Sequence, residues 1–267
     1  MEDRHVSDAS PFWQQRVDRE RIERERVEQE LQVARRIQQA SLPREVPTLT
    51  GWQIAPYYQP AREVGGDFYD FFDVEDGRVG VAVGDATGKG TPAALAVSAT
   101  SSMLRAVAQG FGSSSPGEVL SRVNETLLAR IPSNMFVTCF YAILDPDSGR
   151  LSYANAGHDL PYLHHSGDCE ELRARGMPLG LMPGMSYEEG EASLIEGDSL
   201  LFYSDGLVEA HNPKGEMFGF PRLRALVAEH GEKRSLGDFL LGELYSFVGE
   251  GWEQEDDITL LTLKRDH

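Results

Sequence analysis

The sequence predicts a layered α+β domain behind a long charged helix. Three observations carry this. Residues 12–42 contain neither Gly nor Pro and are packed with Arg, Glu and Gln. From about residue 48 the pattern turns to short β-branched and aromatic runs bounded by turn residues. Helical segments then fall in pairs between groups of strands, which is the order of an α+β layered domain and not of a repeating βαβ unit.

The elements follow in order. Residues 1–11 read as a flexible polar tail, 12–44 as a helical linker and 45–267 as the folded domain. In the linker, opposite charges recur four apart, as in Arg19 with Glu23 and Arg21 with Glu25. Trp13, Val17, Val27, Leu31 and Ala34 share one a/d register, interrupted by Glu20, Arg24 and Gln38, so a coiled-coil pairing is expected of only part of it. Pro43 and Pro47 end the helix. Strands are expected in "GWQIAPYYQP", "DFYDFFDV" and "RVGVAVGDA". A helix over 91–109 follows, with Thr91 as its cap and Pro92 in its first turn, then a second over 116–131. "FVTCFYAILDPDSGRLSYANAG" reads as a hairpin about "DPDSG". Further strands near 160–173, 186–194 and 199–204, helices over 220–230 and 235–249, and a last strand "DITLLTLK" complete the domain.

Composition narrows the function. A formal charge of −18 argues against nucleic acid, which needs a basic face, and favours a cation or a basic partner. No run approaches the ~18 apolar residues of a membrane span, and the polar N-terminus has no signal-peptide core. Two cysteines, Cys139 and Cys169, make neither a disulfide framework nor a metal knuckle. A cytoplasmic protein is the expectation.

"GDATGKGT", residues 84–91, resembles a phosphate-binding P-loop but fails its spacing. Val83 stands where the first Gly belongs, and Gly90 where the Mg²⁺-binding hydroxyl belongs. The acidic residue is the better clue. Asp85 follows an apolar strand; Asp67 and Asp70 follow Gly65–Gly66; Asp205 lies between a strand and Gly206; Asp256 and Asp257 precede the last strand. Each alone reads as turn chemistry. Together they place acidic groups at four strand ends of one domain. Two carboxylates about 5 Å apart repel by roughly 3 kcal/mol at an effective dielectric of 20, so such a cluster calls for cations. An all-oxygen donor set suits Mg²⁺ or Mn²⁺, and a pair of such ions activates water for attack on phosphorus.

"EVGGDFYD", "GDATGKG", "YSDGLVEA" and "EDDITLL", in this order, resemble bacterial PPM-type metal-dependent Ser/Thr phosphatases of the SpoIIE/RsbU branch. "NAGHDLPYL" and "GMPLGL" match that branch too, and the likeness spans about residues 45–265. The resemblance implies a four-layer αββα sandwich of two antiparallel sheets, holding two divalent cations, Mn²⁺ or Mg²⁺, at one edge. By motif, Asp67, Asp85, Asp205 and Asp256 would be the catalytic metal ligands, with the Ala86 carbonyl as a further ligand. Asp70 and Asp257 could touch a metal or its water, or serve only as strand-end hydrogen-bonders. Lys89 could approach the phosphate. His158 reads as a structural hydrogen-bonder and Arg62 as an exposed loop residue, so no general acid is placed. The implied substrate is phosphoserine or phosphothreonine on a STAS-type anti-sigma factor antagonist, whose dephosphorylation frees a sigma factor by partner switching. The linker helix is a candidate regulatory lever and homodimer contact. The competing expectation is a catalytically silent scaffold that binds a regulatory partner.

Overall fold

The computed structural model describes residues 11–43, 45–110 and 115–266, so the tail expected over 1–11 lies, apart from Pro11, outside the described residues. The chain runs α1 (Pro11–Ser41), β1 (Trp52–Gln59), β2 (Asp67–Asp73), β3 (Val79–Ala86), α2 (Thr91–Gly110), α3 (Pro116–Leu128), β4 (Val137–Leu144) and β5 (Arg150–Ala156). It continues through β6 (Tyr162–His165), β7 (Asp168–Glu171), β8 (Glu189–Ser193), β9 (Ser199–Tyr203), α4 (Asp205–Val208), α5 (Phe220–His230), α6 (Leu236–Val248) and β10 (Ile258–Arg265). One sheet has the order β2-β3-β4-β5-β8, the other β1-β10-β9-β6-β7, and every pairing is antiparallel.

Alternation along the strands builds the layers. In β3, Val79, Val81 and Val83 point to the second sheet and meet Phe140, Phe202, Leu261 and Leu263 in the inter-sheet core. The other face of the same strand is Gly80, Ala82 and Gly84, because Phe72 and Phe68 lie across it. Outside the first sheet, α2 and α3 bury Val97, Leu104, Val119, Leu120, Val123 and Leu127 on that face. Outside the second, α5 and α6 bury Leu223, Val227, Leu240 and Leu244 against Leu201, Tyr203 and Leu260. The result is the αββα sandwich.

Turn chemistry sets the connections. Asp145 Oδ1 accepts from the N–H groups of Asp147 and Ser148 at 3.1 and 3.2 Å, closing the β4–β5 hairpin, and Gly149 takes φ +79°. The region expected as strand over 160–173 is itself a hairpin, β6–β7, turning at Ser166 and Gly167, both with positive φ. One expectation is corrected. The first α2 bond runs from Ala94 N–H to the Gly90 carbonyl at 3.0 Å, so Gly90, with φ +76°, stands at the cap and Thr91 is already helical. The one-turn α4 was not foreseen.

Candidate metal centre at the strand ends

Antiparallel register alone brings two of the expected ligands together. Asp67, the first residue of β2, pairs directly with Asp85 near the end of β3. The neighbouring ends of β9 and β10 supply the others: Asp205 follows β9, and Asp256 and Asp257 precede β10. A hydrogen bond from Thr259 Oγ1 to Asp67 Oδ2, 2.5 Å, links the two sheet ends.

Glycines allow the close approach. A β-carbon at Gly206 would stand 2.0 Å from the Asp257 carbonyl oxygen, so the Asp205–Gly206 turn packs against the 256–257 backbone only because it lacks one. A β-carbon at Gly66 would stand 3.0 Å from Asp85 Oδ1 and 3.3 Å from the Ala86 carbonyl oxygen. Both of those predicted ligand atoms thus border space that a larger residue would fill. The Ala86 N–H holds the Gly66 carbonyl at 3.0 Å and fixes this arrangement.

The electrostatics show how close these groups are. Burial, then the charges of Asp205, Asp256 and Asp257, push the Asp85 carboxyl up to about 8, with a hydrogen bond to Asp67 drawing it partway back. Asp67 is fully buried and also lies well above the usual carboxylate range, through burial and then its neighbours Asp85 and Asp257. Burial, then Asp256 and Glu209, raise Asp205 to about 6. The cation facing this set is Lys89, whose Nζ lies 2.7 Å from Asp256 Oδ2 and donates to the Glu255 carbonyl at 2.8 Å.

The remaining expected residues separate clearly. Asp70 is buried, and its carboxylate takes hydrogen bonds from Ser101 Oγ and Phe71 N–H at 2.8 Å each and an ion pair from Arg105. Asp257 is held by the N–H groups of Ala61 and Gly66 at 2.7 and 2.5 Å. Asp70 thus sits mid-strand with its carboxylate already bonded, and Asp257 is bonded to loop backbone just before β10. His158 is buried; its N–H donates to Asn155 Oδ1 at 2.8 Å, its Nδ1 meets Thr138 Oγ1 at 2.9 Å, and burial lowers it to about 4, so it is neutral. Arg62 is exposed.

Two residues were missed. Gln38 of α1, 6% exposed, grips the Gly65 peptide twice, Nε2 donating to its carbonyl at 2.6 Å and Oε1 accepting its N–H at 3.0 Å. Its signal is a polar residue directly following the apolar register positions Val27, Leu31 and Ala34. Asp159 has a carboxyl raised to about 7 by burial, then by Asp205 and Glu209; it is the residue after His158 in the "NAGHDLP" motif.

Among the described residues no three acidic, His or Cys side chains already converge as a closed ion cage. The fit to a divalent cation rests on donor chemistry: hard oxygen donors, buried, mutually repelling and bordering the space beside Gly66.

An αββα sandwich with aspartates at the adjoining ends of its two sheets defines a phosphatase fold of the PP2C type. The chain belongs to the Stage II sporulation protein E (SpoIIE) family, whose model matches residues 75–266, and so to the SpoIIE/RsbU branch of the PPM phosphatases. It is 32% identical over 266 residues to protein IcfG of Synechocystis sp., covering 88% of this chain and 41% of IcfG. It is 28% identical over 242 residues to phosphoserine phosphatase RsbU of Bacillus subtilis, covering 88% of this chain and 70% of RsbU. The chain thus spans less than half of IcfG. Among solved structures, the SiaA-PP2C domain of Pseudomonas aeruginosa shares the fold at TM-score 0.79 and 24% identity, over 92% of this chain and 98% of that one. The RsbU and RsbW domains of a Mycobacterium tuberculosis protein match at TM-score 0.70 and 28% identity, over 85% and 63%.

Proposed function

We propose that the chain is a metal-dependent protein serine/threonine phosphatase, with residues 45–267 as the catalytic domain and 12–44 as a regulatory linker. The observation that carries this is the set of carboxyls at the strand ends, Asp67 buried and Asp85 and Asp205 partly so, raised by burial and then by one another's charge and faced by Lys89. Asp67, Asp85, Asp205, Asp256 and the Ala86 carbonyl would hold the ions. Bound Mn²⁺ or Mg²⁺ supplies counter-charge, Lewis acidity toward the phosphoryl oxygens and activation of water. The chain's own residues hold the ligands in place. Thr259 orients Asp67 through its hydrogen bond, Gly66 keeps the face of Asp85 clear, and Thr138 Oγ1 meets the Asp85 carbonyl at 3.3 Å.

The substrate class is a phosphoserine or phosphothreonine protein. RsbU and RsbP of Bacillus subtilis, both phosphoserine phosphatases by name, support it. By the SpoIIE/RsbU likeness the partner is a STAS-type anti-sigma factor antagonist, acted on in the cytoplasm within a partner-switching circuit. No described helix is long and apolar enough to cross a membrane. Homodimerisation through α1 is supported by its exposed Trp13, Val17 and Val27, which extend the stripe that Leu31 and Ala34 half-bury on the domain. Sedimentation of the whole chain as a monomer would remove the dimer.

The test is hydrolysis of phosphoserine peptides with and without Mn²⁺: metal-dependent release of phosphate is expected. The silent-scaffold reading draws on one observation, the Lys89–Asp256 ion pair, in which an ammonium already occupies an expected ligand. Folded protein that binds Mn²⁺ and a phosphoprotein without turnover would favour it.

A further inference from the structure

A groove of about 480 Å³ adjoins the strand-end site, and nothing so far accounts for it. It lies between the first turns of α2 and the segment 130–135. Pro92, Leu95, Met103, Ile131 and Met135 give it apolar walls, and Leu95 is 66% exposed although it sits on a helix otherwise packed into the core. Arg130 is its sole charged lining residue and has no acidic partner among the described residues.

The groove is joined to the loop that follows Asp85. The chain leaves Ala86 into Thr87, and Thr87 is bound to Phe136 three times. Its N–H and Oγ1–H donate to the Phe136 carbonyl at 3.0 and 3.2 Å, and its Oγ1 accepts the Phe136 N–H at 3.0 Å. The loop after Ala86 and the 130–136 wall therefore form one rigid rim, with Gly90, Thr91 and Pro92 leading from the site into the groove. A segment that presented a phosphoseryl group to Asp85 from the α2 side would pass along this rim. Arg130, with no acidic partner among the described residues, gives the groove one positive wall for a segment that carries close to two negative charges at its phosphate.

We propose that this groove is the subsite that selects the protein substrate, seating a large aliphatic or methionine side chain that flanks the phosphoserine. The proposal rests on the phosphatase reading above. Removing a leucine-sized side chain from water into such a groove is expected to raise kcat/KM about tenfold.

The probe is a set of phosphoserine peptides in a Gly/Ser background. Each carries one Leu, or Ser in its place, at a position within about four residues of the phosphoserine, one helical turn to either side. With Mn²⁺ and the whole chain, one register should favour Leu over Ser about tenfold, and the ratio should fall to near unity in Leu95→Asp. Because the readout is a ratio within one protein, it is unaffected by the variant's overall activity. A flat profile in the wild type, with p-nitrophenyl phosphate still hydrolysed, overturns the subsite and leaves the phosphatase reading standing. A preference that survives both Leu95→Asp and Ile131→Asp also overturns it. So does a preference kept in Leu95→Asp while the protein passes from dimer to monomer, which would assign the groove to a second copy of the chain. Failure to hydrolyse any phosphoester removes the phosphatase reading and this subsite with it.

Discussion

Two regions of the molecule carry buried aspartate, and they differ in how the charge is met. Where β2 runs beneath α2, the Asp70 carboxylate is answered by Ser101, Arg105 and its neighbouring backbone N–H. At the ends of β2 and β3, Asp67 and Asp85 are answered by each other and, at Asp67, by the hydroxyls of Thr259 and Ser204, with no cationic side chain bonded to either among the described residues. Asp67 and Asp70 lie on one strand, three residues apart. The first region is a finished structural clamp. The second region holds carboxyls raised by burial and by one another, which is the arrangement a cation would relieve under the proposed function. Burial raises the Asp70 carboxyl too, so burial by itself does not mark a functional site; what sets Asp67 and Asp85 apart is that further carboxylates, and not an arginine, are their neighbours.

This contrast can be broken by substitution. Asp85→Asn is expected to lower phosphoserine-peptide hydrolysis by at least about 100-fold while the protein stays folded. Asp70→Asn should do the reverse, costing about 1–3 kcal/mol of stability in urea unfolding, since Arg105 and Ser101 lose their partner. If Asp70→Asn left stability unchanged and abolished turnover, the division between the two regions would fail.

The same contrast predicts a pH dependence. Asp85 at about 8 and Asp205 at about 6 both lie above their unfolded values, so the folded state favours their protonated forms. In chelator-treated protein their contribution is fully present below about pH 4, the unfolded value, and is lost as pH rises through 6 to 8. The midpoint Tm should fall by at least about 3 °C between pH 5 and 9, and by less in Asp85→Asn. A Tm that rises over that window in metal-free protein would contradict the burial of these groups.

Smaller effects test the supports. Gln38→Ala removes both bonds to the Gly65 peptide and should cost about 1–2 kcal/mol, read by thermal unfolding of the whole chain. Smallest of all, Lys89→Ala should change stability by under about 1 kcal/mol, because its ion pair with Asp256 is partly exposed. A larger loss would mean that Lys89 is integral to the fold.

Most of the fold was legible in the sequence because period, turn residues and breakers agree locally. "DPDSG" closes the β4–β5 hairpin through Asp145, and the Val-x-Val-x-Val run of β3 shows its buried face by alternation. The site was legible as a set of aspartates at strand ends but not in its division of labour. Nothing in "DFYD" separates Asp67 from Asp70; what separates them is Arg105, 35 residues onward on another element. Likewise Asp256 and Asp257 are adjacent in sequence, and only the fold shows that Asp257 is committed to the backbone of Ala61 and Gly66. Gln38 read as a flaw in a coiled-coil register because its partner, the Gly65 peptide, lies 27 residues away. Local pattern reveals which residues are candidates, and long-range contacts decide which are already occupied.

The central claim is that the carboxyls of Asp67, Asp85, Asp205 and Asp256 are held for divalent cations. Its most direct test is thermal unfolding at pH 8 with and without Mn²⁺, in wild type and Asp85→Asn. Mn²⁺ should raise the wild-type Tm in a concentration-dependent way, and Asp85→Asn, already more stable than metal-free wild type, should gain little or nothing. An equal Mn²⁺-dependent rise in both proteins, or none in either, would contradict it.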